Sequence, residues 1–337
     1  MALTVSAGLS TAWIQRTRVL VLRWAGPGVS FPLALLPRIA LSFCITASPA
    51  LGQVASEERQ FGPWVWGVSG GAVQQFEAGM QDGAGDFDVT RAYFQPSLGY
   101  AWDRRNSVSL SVGYGSSDYS FSGESTIDGL SPWGRIEDYR VSLPVRFSVG
   151  ERSDAILIPS IRSHVEAGTS LAEGRTEGVI AGMSWRFSDK LSLGPGFGWY
   201  SELDGGSNAF PIVVVDWSIT DRLSLTTGRG LAASQGPGLS LNYALADKWT
   251  LGLAGRYEKT RFALGDDSAA PGGIGEDRSL PLLLTVEYTP WPMTKVSAVI
   301  GAEFEGELRL EDENGRRIGS SSYDAAPVVG VVFSTRF

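Results

Sequence analysis

Residues 239–257 read LSLNYALADKWTLGLAGRY, and this stretch decides the fold. Large apolar side chains occupy alternate positions on both sides of Asp247-Lys248, with small or polar residues between them. Side chains of a β-strand point alternately to its two faces, so a period of two predicts strands with one apolar and one polar face. Two such runs joined by a two-residue charged turn predict a β-hairpin.

The same alternation recurs in residues 108–114, 141–147 and 280–288. Some of the predicted strands are joined by six short, mostly charged turns, at 103–105, 150–152, 188–190, 220–222, 247–248 and 292–294. Seven longer, polar, Gly-rich stretches alternate with these turns, at 72–89, 117–137, 164–177, 201–208, 229–236, 259–279 and 307–324. Six turns and seven loops join fourteen strands and place both chain ends on the short-turn side.

Short connections at one end, long connections at the other and an even strand number are typical of outer-membrane β-barrels. A soluble β-sandwich also alternates, but it does not require this asymmetry. The sequence therefore predicts an all-β fold, a single antiparallel transmembrane β-barrel. We expect about 14 strands, within a range of 12–16, with short periplasmic turns and long extracellular loops.

Aromatic residues beside the short turns support the barrel, because such rings form a girdle at the membrane interface. The predicted girdle consists of Trp102, Phe147, Phe187, Trp217, Trp249 and Trp291. The chain ends in an alternating strand that carries Phe333 and Phe337, and this strand resembles the C-terminal signal of bacterial outer-membrane proteins, although Thr335 stands where an aromatic residue is usual. The resemblance is to porin-like outer-membrane barrels in general. It implies that outer-membrane lipid and the barrel-assembly machinery are partners of this chain.

The N-terminal segment predicts export. Residues 1–52 contain four Arg and no Asp or Glu, and an apolar run at 39–47 is followed by Ala50 and Gly52 at the −3 and −1 positions of a cleavage site. Pro37 and Arg38 leave this run too short for a membrane anchor. We therefore expect a signal peptide at 1–52, whose true start lies at or after Met1, and a mature barrel at 53–337. The predicted route is the Sec pathway, and the destination is the outer membrane of a Gram-negative-type cell.

Composition excludes several classes of function. The formal net charge of −8 gives no basic surface for nucleic acid. One Cys, Cys44, and one His, His164, cannot supply a Cys-rich or two-His metal site. Acidic loop residues lack the spacing of a calcium loop. A catalytic role for His164 is possible only with a serine partner, and an ordinary loop-edge histidine is the simpler interpretation. We expect no catalytic residue, no cofactor, no metal and no enzymatic activity.

The polar strand faces predict the charges that line the lumen, where a charge without a partner is costly. These candidates for charge selectivity are Arg140, Arg146, Arg186, Arg256, Asp216, Glu287, Glu303 and Glu305. A spacing of two places Glu303, Glu305 and Glu307 on one strand face, and a ladder paired with lumen arginines explains them better than a catalytic carboxylate pair.

The predicted inward residues are small, which leaves room for water or a solute. They are Ser109, Ser111, Gly113, Gly115, Ser192, Gly194, Gly196, Gly198, Gly252 and Ala254. The alternative is that these glycines permit curvature and close packing. About eight residues separate Gly52 from the first strand near Phe61, so we expect an inward-folded loop to be the only stopper. The sequence favours a passive pore for small solutes. The rivals are a non-conducting barrel that acts through its long loops, and, third, an enzyme.

Overall fold

The computed structural model describes residues 63–81, 84–124, 127, 129, 130, 132–227 and 238–337. The predicted signal segment, Phe61 and the whole predicted loop at 229–236 lie outside the described residues. The strands are β1 (Trp64–Gly79), β2 (Ala84–Ala101), β3 (Ser107–Glu124), β4 (Arg135–Ser142), β5 (Val145–Ser148), β6 (Ser153–Glu166), β7 (Arg175–Ser188), β8 (Leu191–Ser201), β9 (Ser207–Ser218), β10 (Leu223–Thr227), β11 (Gly238–Ala246), β12 (Trp249–Arg256), β13 (Glu258–Ala263), β14 (Ile274–Tyr288), β15 (Thr294–Glu311), β16 (Arg317–Tyr323) and β17 (Ala326–Arg336).

The strands form one closed antiparallel barrel, because β1 pairs with β2 on one side and with β17 on the other. Three pairs of segments each continue a single barrel strand. β4 and β5 both lie between β3 and β6, β12 and β13 both pair with β14, and β16 and β17 both pair with β15. The barrel therefore has fourteen strands, as the alternation of turns and loops predicts. The described residues form no helix that is long and apolar enough to span a membrane.

The connections at the two ends differ in one respect from the prediction. The six short turns lie where they are predicted, between β2 and β3, β5 and β6, β7 and β8, β9 and β10, β11 and β12, and β14 and β15. At the other end the strands continue into the predicted loops, which shrink to 80–83, 125–134, 167–174, 202–206, 264–273 and 312–316. The sequence predicts loops there because both strand faces carry polar residues. The strands can nevertheless continue, since water, not lipid, lies outside this part of the wall.

The outer surface of the barrel carries an apolar belt. Side chains of one parity are exposed along each strand, such as Leu110 and Val112 on β3 and Leu282 and Leu284 on β14. On β3 and β4 the belt ends at Tyr114 and Tyr139, whose hydroxyls donate hydrogen bonds to Glu137 at 3.5 and 3.1 Å. Rings whose hydroxyls reach a charged group mark the boundary between lipid and water.

The main apolar core lies inside the extracellular half of the barrel, where the strands extend beyond this boundary. We call this core the cap. Its buried members are Ala78, Met80, Phe87, Val89, Ile127, Trp133, Ile136, Phe262, Leu264, Ala270, Leu308, Leu310, Tyr323 and Ala326. They come from β1, β2, β4, β13, β15, β16 and β17 and from the connections at 125–134 and 264–273. A packed core therefore fills this part of the lumen, in place of water.

Candidate functional site in the barrel lumen

A cavity of about 100 Å³ lies in the lumen directly beneath the cap. Apolar residues Val73, Leu283 and Val328 line one side of it. The ionisable residues at its wall are Arg91, Asp138, Arg140, His164, Arg256, Glu258 and Glu303. The site therefore combines an apolar surface with ionisable groups that contact one another.

Arg91 of β2 joins two strands across the lumen. Its guanidinium donates hydrogen bonds to Glu303 of β15 at 3.1 Å and to Asp277 of β14 at 3.1 Å. Asp277 also accepts hydrogen bonds from the hydroxyls of Tyr119 at 2.8 Å and Tyr323 at 3.1 Å. Both carboxyl groups are buried, so their oxygens depend on these donors. The network joins residues of five strands, β2, β3, β14, β15 and β16, at the lower surface of the cap.

A second polar cluster lies on β4 and β6. The Asp138 carboxylate contacts His164 Nε2 and lies 3.5 Å from Arg162 and 3.7 Å from Arg140. Register explains the cluster, because Asp138 is the Cα partner of His164, and Arg140 is the Cα partner of Arg162. Like charges directly opposite each other are unfavourable in a sheet, and the shared carboxylate offsets this.

The β13–β14 hairpin crosses the mouth of the barrel and contacts β6, which is not its neighbour around the wall. Ala263 and Val165 form a parallel bridge pair. His164 Nδ1 lies 3.2 Å from the carbonyl oxygen of Arg261, and the Gly265 N–H donates to Glu166 at 3.2 Å. The hairpin is therefore fastened to the opposite wall by a small number of hydrogen bonds.

The two faces of β13 make different contacts at the mouth. Phe262 points into the cap, where its ring centroid lies 4.8 Å from that of Trp133. Arg261, on the other face, forms ion pairs with Glu202 and Asp204 of the β8–β9 connection and with Glu311. Burial acts to raise the pKa of Asp204, but the N–H of Gly206 and the Arg261 guanidinium outweigh it and hold the pKa below its usual value.

The predicted lumen charges lie at two levels. Arg140, Arg256 and Glu303 lie at the cavity beneath the cap, and Arg256 is paired with Glu258. The others are nearer the short turns: Arg146, 3.9 Å from Asp154; Arg186 and Asp216, both exposed; and Glu287, paired with Lys295. Sequence periodicity thus placed these residues on the inner face, but it did not bring them together in one ring.

Glu305 is not in the lumen, contrary to the prediction. The β14–β15 register shifts between Arg278 and Leu280, and Glu305 has a φ of 50° at the same place. A bulge adds one residue to a strand and reverses the faces that follow it. Glu303 therefore points inward, Glu305 is exposed, and Glu307 pairs with Arg278 on the outer side.

Neighbouring side chains occupy part of the room that inward glycines leave. A Cβ at Gly198 would collide with the ring of Phe210, and a Cβ at Gly178 would collide with the ring of Tyr200. The Thr285 side chain takes the corresponding space at Gly252. Close packing, the alternative interpretation of the inward glycines, therefore applies at Gly198 and Gly252.

Sequence reasoning missed Arg91, Asp138 and Asp277. Asp277 lies inside a stretch that the sequence predicts to be a loop, 259–279. Arg91 and Asp138 lie just after two other predicted loops, 72–89 and 117–137. The available signal was the strict alternation of Phe87, Val89 and Arg91, which continues the inner face of β2.

The predicted girdle residues are exposed on the outer surface beside the short turns, among them Phe187 at 64% and Trp291 at 69% exposure. Phe333 lies on β17, which closes the barrel against β1, and the Phe337 N–H donates to the carbonyl oxygen of Trp66 at 2.8 Å. The recognition of this end by an assembly machinery stays a prediction. No group of three or more His, Cys, Asp or Glu side chains among the described residues could hold a metal ion.

Three observations decide the type of fold. They are the closed sheet, the apolar belt on its outer surface and the exposed aromatic residues beside the short turns. The chain has the fold of a membrane-spanning β-barrel. No family model matches it, and no curated protein matches it in sequence. Solved barrels resemble its shape. An outer membrane channel from Pseudomonas putida F1 is 10% identical, with a TM-score of 0.46, over 85% of this chain and 100% of that chain.

Two further solved barrels are similar at the same level. The translocator domain of the autotransporter NalP from Neisseria meningitidis is 12% identical, with a TM-score of 0.36, over 83% of this barrel's chain and 90% of its own. A mutant of the TodX monoaromatic hydrocarbon channel is 10% identical, with a TM-score of 0.40, over 82% of this chain and 91% of that chain. Likenesses of this size do not define a solute for the barrel.

Proposed function

We propose that the barrel is an outer-membrane channel for small solutes, closed at its outer mouth by the cap and opened by movement of the β13–β14 hairpin. The observation that carries the proposal is the contact of this hairpin with β6 across the mouth. A wall strand that also bonds to the opposite wall closes the lumen, and release of these contacts by a hinge movement of the hairpin would open it.

The charges beneath the cap support selection of the solute. Arg91, Arg140 and Arg256 lie at the cavity with Asp138, Glu258 and Glu303, so a solute that passes the cap meets both signs of charge. Rings of charged side chains set ion preference in pores. Under this proposal, replacing Glu303 by Gln lowers cation preference.

The test is single-channel conductance of the full chain refolded into a planar bilayer. We expect brief, rare openings of the wild type, and a higher open probability for Phe262→Ala and Trp133→Ala, which remove large rings from the cap. Leu284→Ala, on the lipid-facing side, is the matched control and should leave the open probability unchanged. Silence from all four proteins, each shown to be folded by its strand circular dichroism, would refute the channel.

The second candidate function is a non-conducting barrel that acts through its extracellular end. The density of the cap favours it, since Phe87, Phe262 and Leu308 are almost completely buried. Silence of Phe262→Ala and Trp133→Ala would support this candidate over the channel.

We also propose that the barrel has no enzymatic activity. A hydrolase that uses a serine nucleophile needs the serine hydroxyl hydrogen-bonded to a histidine. The two ring nitrogens of His164 instead contact Asp138 and the carbonyl oxygen of Arg261. Ester hydrolysis that is lost in His164→Gln and retained in Arg140→Gln would contradict this proposal.

A further inference from the structure

A group of large apolar side chains faces the lumen on β6, β7 and β9, below the level of the Asp138 cluster. We call it the lumen patch, and its members are Ile156, Ile158, Ile180, Phe210, Ile212 and Val214. The register aligns them on one face, since Ile158 is the Cα partner of Ile180, and Gly196 is the Cα partner of Ile212. Side chains of the opposite parity, such as Leu157 and Val213, are exposed on the lipid side.

Glycines let the patch side chains pack together. Gly178, Gly182, Gly194, Gly196 and Gly198 occupy the inward positions of β7 and β8 between the larger residues. A Cβ at Gly182 would lie 2.9 Å from a methyl carbon of Val214 and 3.6 Å from one of Ile156, so these two side chains approach each other over the glycine. The result is a continuous apolar surface.

Polar residues border the lumen patch on both sides. Toward the short turns lie Asp154 and Ser184, which are Cα partners, and Asp216 opposite Ser192. Toward the cap lie Arg162 and Asn208. The patch residues themselves are half-buried, so in the described structure they remain accessible from the lumen. A water-filled lumen is normally lined by polar residues, and an apolar surface there carries a cost unless it binds something.

The geometry points to a binding site for small, uncharged, apolar solutes at the lumen patch. A mostly apolar surface on the concave inner wall of a barrel, with polar groups at its border, is typical of small-molecule sites. This inference rests on the proposed channel, whose transported solute it assigns to a chemical class.

The experiment measures binding of N-phenyl-1-naphthylamine, a small apolar dye that fluoresces in apolar surroundings, to the full chain in lipid nanodiscs. The double variant I180N/I212N makes the patch polar. We expect saturable fluorescence from the wild type and an affinity at least about tenfold lower in the double variant. Ser224→Asn, an inward substitution on β10 outside the patch, is the matched control and should bind the dye as the wild type does.

Competition and a milder variant complete the test. Toluene should displace the dye from the wild type, and glucose should not. If the Asn variant fails to fold, I180T/I212T, which retains the branched shape, should still weaken binding. Equal dye affinity in wild type and folded patch variants would overturn the inference. Channel openings without patch-dependent dye binding would overturn the inference and leave the proposed function standing. Patch-dependent dye binding by a barrel that shows no channel openings would refute the proposed channel and leave the binding site standing.

Discussion

Arg91 shows at the scale of one residue how much the lumen depends on paired charges. Arg91→Met removes the cation between two buried carboxylates, Glu303 and Asp277. Breaking a buried pair from one side leaves an uncompensated charge and costs about 3–5 kcal/mol. We expect a fall of at least about 3 kcal/mol in the free energy of unfolding, measured by urea titration of the refolded barrel.

The control for this prediction is Arg135→Met. Arg135 pairs with Asp118, and both side chains are largely exposed, at 58% and 41%. An exposed pair contributes about 0–1 kcal/mol because water screens it. Equal losses from the two substitutions would show that the Arg91 network does not stabilise the barrel.

Asp204 gives a prediction for pH dependence at the same scale. Its pKa is lowered in the folded protein, so its stabilising contribution is complete above its ordinary pKa and is lost as the pH falls through the lowered value. We expect the Gly206 amide, which bonds to Asp204 at 3.0 Å, to exchange its hydrogen faster relative to the intrinsic rate below about pH 4. Asp204→Asn should remove this pH dependence, and a pH response that survives the substitution would contradict the assignment.

At the scale of an element, the β13–β14 hairpin is predicted to be the moving part. Val165 and Ala263 are Cα partners in the bridge between β6 and β13, so cysteines at both positions should form a disulfide. Cys44 is the only native cysteine, and Cys44→Ser provides a clean background. In V165C/A263C we expect no channel openings under oxidising conditions and recovery after reduction.

A matched pair of cysteines distinguishes hairpin movement from a general effect of cross-linking. Leu241 and Leu253 are Cα partners on neighbouring wall strands β11 and β12, far from the mouth. L241C/L253C should leave the openings unchanged in both redox states. Openings that persist in oxidised V165C/A263C would place the gate elsewhere.

At the scale of the whole molecule, closure between β1 and β17 connects the last residue to the first strand. Phe337 exchanges backbone hydrogen bonds with Trp66 and is 65% exposed on the outer surface. If its ring is an assembly signal, Phe337→Ala should lower the fraction of chain assembled in the outer membrane of cells severalfold. Refolding of the purified variant in detergent should be unaffected, because the backbone bonds remain.

The control is Phe187→Ala, a girdle residue with similar exposure, 64%, at the same end of the barrel. It should assemble normally, since it lies near the end of β7, inside the chain. A similar defect in both variants would assign the effect to the girdle and not to the C-terminal signal.

The sequence by itself determined the barrel wall. Alternation in 239–257 and 280–288 predicted the strands and their lipid-facing side, because lipid outside and a lumen inside demand opposite chemistry at successive residues. The same rule identified the six short turns and the girdle. It failed beyond the membrane boundary, where both faces of residues 117–124 and 274–279 are free to be polar or packed, and no period marks a strand that continues into water.

Only the tertiary structure decided what fills the lumen. Arg91 meets Asp277 and Glu303, and His164 meets the carbonyl oxygen of Arg261, over sequence separations that no local pattern encodes. One bulge near Glu305 reversed the face that a spacing of two had assigned. Strand alternation fixes on which side of the wall a residue lies, whereas contacts across the lumen depend on how fourteen strands close and on where one hairpin bends inward.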